Sequence, residues 1–423
     1  MAGKKITTGL ISVLVLLPFI FITPIAKSAE KTDIAINAMF DLTGPYSGVH
    51  QLLSKGYKDY AKWANDHEIV PGANIVLDII DTGSEVGKGV VAFQMGATKK
   101  PRAVISTGGQ ASNIAISIRQ IAQRLKIPIY GGGETRSAMV PPAWNFGHQG
   151  CYEGDVAACA TWAKANWKPD SSDPWIRKHY ENRNPRIAIM GWDNAFGRGA
   201  DYPETKNYLK KIGVDYVGAE YIPMSPSDTT PQILRLVKEK KTDFIYFFMY
   251  PSSVALVLKD AARLGLRDEF QDFSFWASSI IQLQSYAKEL AERSMMLTGY
   301  KLDPSEWEIP YFVEHYKASK APLVAAVFYS GGASYLSVKV EAIRRAALKV
   351  GADKVDGQAV YNAMINMKSY KPALYHSTVS FSKTKRVGPD DAVMYQVQNG
   401  KPVIVAKNVY VPSLLPGGKD VVK

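Results

Sequence analysis

The sequence predicts an α/β protein of two lobes, each a parallel sheet covered by helices on both faces. Short apolar strands alternate with amphipathic helical stretches over most of the chain, the pattern of repeated β-α-β units. The alternation halts at the Gly147 to Gly150 region and then starts again. The chain is also long: 423 residues, or 423 − 28 = 395 once an N-terminal leader is set aside, more than one hydrophobic core usually supports.

The leader is residues 1–28. Lys4 and Lys5 precede an apolar run from Leu10 to Ile22, and Pro24-Ile25-Ala26-Lys27-Ser28-Ala29 supplies small residues for cleavage. A basic end, an apolar core and a small-residue site describe a secretory signal peptide, and the run is short for a membrane span. Cleavage after Ser28 places Ala26 at the third position back. With no Cys after the apolar run to take a lipid, the expected product is a released periplasmic protein.

In the first lobe, strands are expected at Ile34 to Phe40, Asn74 to Asp81, Ala103 to Thr107 and Ile127 to Tyr130, with helices such as Lys55 to Asn65 and Asn113 to Leu125 between them. The second series has strands at Arg186 to Gly191, Tyr216 to Ile222, Asp243 to Tyr250 and Phe273 to Trp276. Its segment Ile245-Tyr246-Phe247-Phe248-Met249 is apolar throughout, as in a strand buried on both faces. A strand at Met295 to Tyr300 and helices around Ser305 to Ser319 and Leu323 to Lys349 follow. The chain then turns antiparallel, with a strand at Thr378 to Phe381 and a hairpin of Ala392 to Gln398 and Pro402 to Val405 around Asn399-Gly400. The expected division is 33–150 plus 280–352 for lobe one, 151–279 plus 353–411 for lobe two, and a loose tail at 412–423.

Removing the leader takes away Lys4, Lys5 and Lys27 and no acids, so the formal charge of +12 falls to +12 − 3 = +9. The basic residues are dispersed, without an Arg/Lys run or RNA-binding motif, which reads as a solvated surface and not a nucleic-acid face. Cys151 and Cys159 are the only cysteines. If both lie on the helix near Gly154, eight residues of rise separate them by about 12 Å, beyond disulfide reach; if Cys151 precedes the helix, a bridge stays open. No G-x-x-x-x-G-K-[ST], G-x-S-x-G or H-E-x-x-H motif is present, no metal-ligand spacing is legible, and no cofactor is expected. Asp41, Asp81 and Asp193 end strands, where an Asp more commonly caps a turn than catalyses.

The stretch Arg102 to Arg136 organises the candidate site. RAVISTGGQASN and IPIYGGGETR each run from a short strand into a turn of small and polar residues before a helix. In open α/β sheets the carboxyl edge of the strands is where ligands bind, because small residues admit a ligand to the backbone and the next helix offers free N–H groups. The two turns form one wall of a cleft.

Asp41-Leu42-Thr43-Gly44-Pro45-Tyr46, Asp81-Thr82-Gly83-Ser84, Ala195-Phe196-Gly197-Arg198-Gly199 and LKDAARLGL at 258–266, in this order after the right strands, resemble the type I periplasmic solute-binding proteins, more narrowly the leucine/isoleucine/valine-binding branch. Tyr329-Ser330-Gly331-Gly332-Ala333-Ser334-Tyr335 and the closing hairpin fit the same pattern. The resemblance implies two Rossmann-like lobes (the periplasmic binding protein-like I fold) joined by three crossings, with a hinge and an interlobe ligand cleft. It implies a non-enzymatic, monomeric component that delivers a small solute to the permease subunits of an ABC importer. A ligand-sensing module for a membrane receptor would use the same cleft.

Carried over from the family, the loop after the third strand nominates Gln110, Ala111 and Ser112 for a ligand carboxylate, and the loop after the fourth nominates Gly132, Gly133, Glu134 and Thr135. Phe196, Met249, Tyr250 and Tyr46 are the aromatic and strand-end positions. Relatives that bind amino acids place an acid after the last strand of lobe two to hold the ligand ammonium, whereas this chain reads Phe275-Trp276-Ala277-Ser278. An indole cannot replace that carboxylate, since a buried ammonium needs a paired charge. Trp276 therefore shifts the expected ligand towards a carboxylate with an apolar or aromatic body. Glu134, supplying the charge from the other lobe, would keep a branched-chain amino acid as second choice.

Overall fold

The computed structural model describes residues 1–3, 30–318, 320 and 325–422, so the signal peptide of the sequence reading lies almost wholly outside the described residues. Met1–Glu30 form one unit and Lys31–Lys423 another, and all that follows concerns the second.

The strands are β1 (Thr32–Phe40), β2 (Ala73–Asp81), β3 (Ala103–Ser106), β4 (Ile129–Tyr130), β5 (Asn145–Phe146), β6 (Arg186–Trp192), β7 (Asp215–Ile222), β8 (Phe244–Phe248), β9 (Gln271–Ser274), β10 (Met295–Thr298), β11 (Asp391–Gln398) and β12 (Lys401–Tyr410). They form a five-stranded parallel sheet, β2-β1-β3-β4-β5, and a seven-stranded sheet, β12-β11-β10-β9-β8-β6-β7. In the second, β10 runs parallel to β9 while β11 and β12 are antiparallel. Helices α1 (Ser47–Asp66), α2 (Val86–Thr98), α3 (Ser112–Leu125) and α4 (Arg136–Met139) serve the first sheet. Helices α5 (Tyr152–Asn166), α6 (Pro174–His179), α7 (Pro203–Lys211), α8 (Thr230–Ile233), α9 (Pro251–Arg263) and α10 (Ile280–Ala287) serve the second, and α11 (Pro310–Ala318), α12 (Ala326–Val350) and α13 (Gly357–Ile365) return to the first. Every residue of β8 is buried, as its unbroken apolar sequence requires.

Several expectations are corrected. The strand at Thr378 to Phe381 reduces to a single bridge between Val379 and Tyr370, because this stretch lies on a connector and not in a sheet. The lobe boundaries follow strand pairing and differ from those drawn from sequence. Residues 280–298 carry α10 and β10 into the second sheet instead of lobe one, and α13 packs on α12 and β3 instead of joining lobe two. The tail at 412–423 is not loose at its start: Leu414 is buried and its carbonyl accepts from Arg136 at 3.2 Å. Cys151 is the residue before α5, Cys159 lies within it, and both thiols are free and buried.

Three connectors join the lobes, and they are tied to one another. The Gly147 N–H donates to the Arg386 carbonyl at 2.8 Å, and the Gly388 N–H donates back to Gly147 at 3.1 Å. The Lys301 N–H donates to Leu374 at 3.2 Å and the His376 N–H to Gly299 at 2.6 Å. Gly299 is obligatory here, since a Cβ would stand 2.0 Å from the Tyr375 ring.

Helix α12 crosses α1 at backbone contact distance. A Cβ on Gly332 would lie 2.1 Å from the Leu53 carbonyl oxygen, and one on Gly56 would lie 2.2 Å from that of Tyr329. The Gly331-Gly332 pair thereby brings Tyr335, one turn further along, over the first sheet. No described helix is long and apolar enough to cross a membrane.

Candidate functional site

The first turn is held by two aspartates. Asp41 accepts from the N–H groups of Gly44 and of Tyr46 (2.9 Å) and from the Ser84 hydroxyl (2.6 Å). Asp81 accepts from Leu42 N–H at 2.8 Å and from the Thr43 hydroxyl at 2.6 Å. Asp193 pairs with Arg198 at 2.7 Å, so all three strand-end acids stabilise turns or local pairs. The Asp41 N–H also donates to His50 Nδ1 at 2.9 Å, which leaves the imidazole proton on Nε2. Burial pulls the His50 pKa down to about 4 against the opposing pull of Asp41, so the ring is a neutral donor.

The two glycine-rich turns interlock. Gly132 has φ +83°, and a Cβ there would sit 2.6 Å from the Gln110 Cα; a Cβ on Gly133 would sit 2.8 Å from the Ser112 Cα. Only glycine allows the turns to nest this closely. Helix α3 begins at Ser112 with no side-chain cap from Ala111, and Ala111 and Ser112 both line the cleft, while the Ile114 N–H donates to Asn113 Oδ1 at 2.9 Å.

Between the lobes lies a narrow cavity of about 30 Å³. The lobe-one wall consists of Tyr46, His50, Leu53, Gln110, Ala111, Ser112, Gly132, Gly133, Glu134 and Tyr335; the lobe-two wall consists of Tyr152, Phe196, Tyr250, Phe275, Trp276 and Ala277. The lobe-two wall is one continuous aromatic surface. Phe196 and Phe275 stand 5.2 Å apart, Tyr152 stands 5.2 Å from Phe275, and Trp276 stands 5.7 Å from Phe275. The Trp276 indole N–H is buried and has no hydrogen-bond partner in the protein. The lobes meet across the cleft: Asn194 donates to the Tyr46 hydroxyl at 3.3 Å, Ser112 and Tyr152 hydroxyls are 3.2 Å apart, and Arg136 pairs with Glu153 at 2.9 Å and with Glu204.

This is the interlobe cleft of a known architecture. A family model described as periplasmic binding protein matches residues 33–402. The chain belongs to the periplasmic binding protein family. Its members are binding proteins and not enzymes, and they work outside the cytoplasm. Among solved structures, the chain is similar to a branched-chain amino acid ABC transporter protein from Thermus thermophilus with bound valine, at 20% identity over 89% of this chain and 96% of that one, TM-score 0.75. It is also similar to a leucine-binding protein from Thermotoga maritima, at 18% identity over 89% and 98%, TM-score 0.69. No curated protein matches it by sequence.

Of the residues nominated from sequence, Tyr46, Gln110, Ala111, Ser112, Gly132, Gly133, Glu134, Phe196, Tyr250 and Trp276 line this cavity. Thr135 and Met249 do not. Thr135 is the residue before α4 and is buried behind the turn. Met249 faces the core of lobe two, since neighbouring residues at a strand end point to opposite sides, and its carbonyl takes the Ser278 hydroxyl. Sequence reasoning did not place His50, Leu53, Tyr152, Phe275, Ala277 or Tyr335. Two signals were available: His50 lies one helical turn beyond Tyr46, and Tyr335 follows the Gly-Gly pair that sets the α1–α12 approach. Among the described residues no group of three His, Cys, Asp or Glu side chains is arranged to hold a metal ion.

Proposed function

We propose that this periplasmic binding protein is the extracytoplasmic component of an ABC importer, and that it closes on a small carboxylate bearing an apolar or aromatic body. The observation that carries the reading is the lobe-two wall, which has six residues, five of them aromatic, and no charged side chain. A carboxylate would be met by the uncapped start of α3 and the Ser112 hydroxyl, both suited to anions. The body of the ligand would lie on the aromatic wall, with the unpaired Trp276 N–H as a further donor. Calorimetry of benzoate- and phenylpropanoate-type acids against leucine, isoleucine, valine and phenylalanine tests the choice. Preference for an acid without an ammonium group is expected, and tight binding of an amino acid that is lost in Glu134→Gln but kept in Trp276→Ala overturns it.

The second reading, a branched-chain amino acid, is favoured by Glu134 on the cavity wall and by the valine in the Thermus relative. Export with removal of residues 1–28 and release as a soluble monomer belong to the same proposal. N-terminal sequencing should find a start at Ala29 or Glu30, whereas an intact Met1 in membrane fractions refutes it. A receptor-linked sensing role would use the same cleft, and stimulation of a permease-associated ATPase by the loaded protein separates the two.

A further inference from the structure

Tyr46 belongs to lobe one, yet its ring packs on lobe two. It is the residue before α1, and its N–H is held by Asp41 at 2.9 Å. On its own side the ring meets His50, at 5.8 Å between centroids. Across the cleft it stands 5.9 Å from Trp192, stacked at 26°, and 5.1 Å from Tyr250, and those two rings are themselves 5.1 Å apart. Only 9% of Tyr46 is exposed.

The partner surface is prepared by the second sheet. Trp192 ends β6 and Tyr250 follows β8, and because β6 and β8 are neighbouring strands, their ends set the two rings side by side. The Trp192 indole N–H donates to the Ser253 hydroxyl at 3.0 Å, which fixes the ring. Asn194 accepts the Phe196 N–H at 3.1 Å and the Gly197 N–H at 2.9 Å through Oδ1, so its amide N–H is turned outwards and donates to the Tyr46 hydroxyl at 3.3 Å. Trp192 and Asn194 stand outside the ligand cavity. Tyr46 lines both that cavity and an outer hollow of about 170 Å³, and so stands between the two.

The other links across the cleft, Ser112 with Tyr152 and Arg136 with Glu153 and Glu204, join polar groups. Polar groups recover hydrogen bonds to water when lobes part, whereas a ring drawn from its socket exposes apolar area that water does not compensate. We infer that Tyr46 is a positioning residue that latches the two lobes: its ring docks on Trp192 and Tyr250 and its hydroxyl on Asn194, stabilising the closed form through contacts between the lobes and apart from any contact with ligand. This goes beyond the proposed function and holds whichever solute the cleft takes. Because the latch is made of protein on both sides, the chain populates the closed form without ligand, and a solute then has less of the closing energy to supply.

The test is the distance between spin labels on Lys88→Cys and Lys259→Cys, exposed positions on lobe one and lobe two, in the unliganded mature chain; the native cysteines are buried. A closed population is expected in the otherwise wild-type protein. In Tyr46→Leu, which gives up the ring contacts, the ratio of closed to open should fall about tenfold. Tyr46→Phe keeps the ring and should fall less. Asn194→Ser reaches the same latch from lobe two, and Tyr46→Phe/Asn194→Ser should be no more open than the worse single variant, since both remove one hydrogen bond. These two variants decide the matter if Tyr46→Leu fails to fold. An unliganded protein that is open alone, a closed share unmoved in folded Tyr46→Leu, or additive losses in the double variant overturns the inference.

Discussion

The two walls of the cleft are made of different materials. Lobe one presents interlocked glycine turns, hydroxyls, the neutral His50 and the buried Glu134, whereas lobe two presents Tyr152, Phe196, Tyr250, Phe275 and Trp276. A polar wall fixes the head of a ligand by direction, because hydrogen bonds weaken steeply with angle. An aromatic wall binds the body through area and tolerates sliding. On the proposed reading of the cleft, lobe one would set the orientation of a ligand and lobe two would select its size and shape.

The comparison can be broken at several points. The largest expected effect is on the stability of the lobe-one wall with pH. His50 has an ordinary pKa of 6.5 and a folded value of about 4, so the unfolded chain takes up its proton first as pH falls. Its contribution is fully present above pH 6.5 and is lost as pH falls towards 4, by up to roughly 3 kcal/mol. Denaturant unfolding of the wild type and His50→Asn at pH 7 and pH 4.5 should show a larger loss in the wild type, the part common to both including that of His148, which burial also holds neutral. Next, Trp276→Ala should weaken ligand binding by about 2 kcal/mol, as expected for a buried aromatic anchor, and should also lower the unfolding midpoint, because the indole packs on Phe275, Tyr300 and Tyr335. Trp276→Phe keeps most of the area and removes the N–H. It should cost about 1 kcal/mol if that donor meets the ligand and almost nothing if only the ring does, so calorimetry of the pair divides area from direction. The smallest effect is expected from Ser112→Ala, about 0.5–1 kcal/mol, because the hydroxyl is one donor among several backbone groups. A Ser112→Ala loss larger than that of Trp276→Ala would reverse the assignment of roles.

Alternating strands and helices, one buried run at Ile245 to Phe248, and an Asn-Gly hairpin made both sheets and their strand directions legible in the sequence. Periodicity reports which face of an element is covered but not which neighbour covers it. For this reason β10 and α13 were grouped with the wrong lobe: their sequences are apolar enough for either. The two-residue strand Asn145–Phe146 is too short to carry a period at all. At the site, loop positions were legible because turns need particular residues, and Gly132 and Gly133 are where backbone meets backbone. Side chains brought from elements distant in sequence were not, as with Tyr335 on α12 and Tyr152 on α5. Met249 and Tyr250 differ only in which side of a strand end they occupy, and both read as plausible from sequence.

The knotting of the three connectors has a mechanical consequence. The segment between α13 and β11 is hydrogen-bonded to both of the others, at Leu374 and His376 on one side and at Arg386 and Gly388 on the other. Three separate cords would let one body tumble against the other with several independent torsions. Laced together, they act as a single strip with two fixed lines of attachment, and a strip bends readily about one direction only. Opening of the cleft is thereby reduced to one coordinate, so that a single pair of spin labels, one on each lobe far from the strip, tracks the entire motion by one distance.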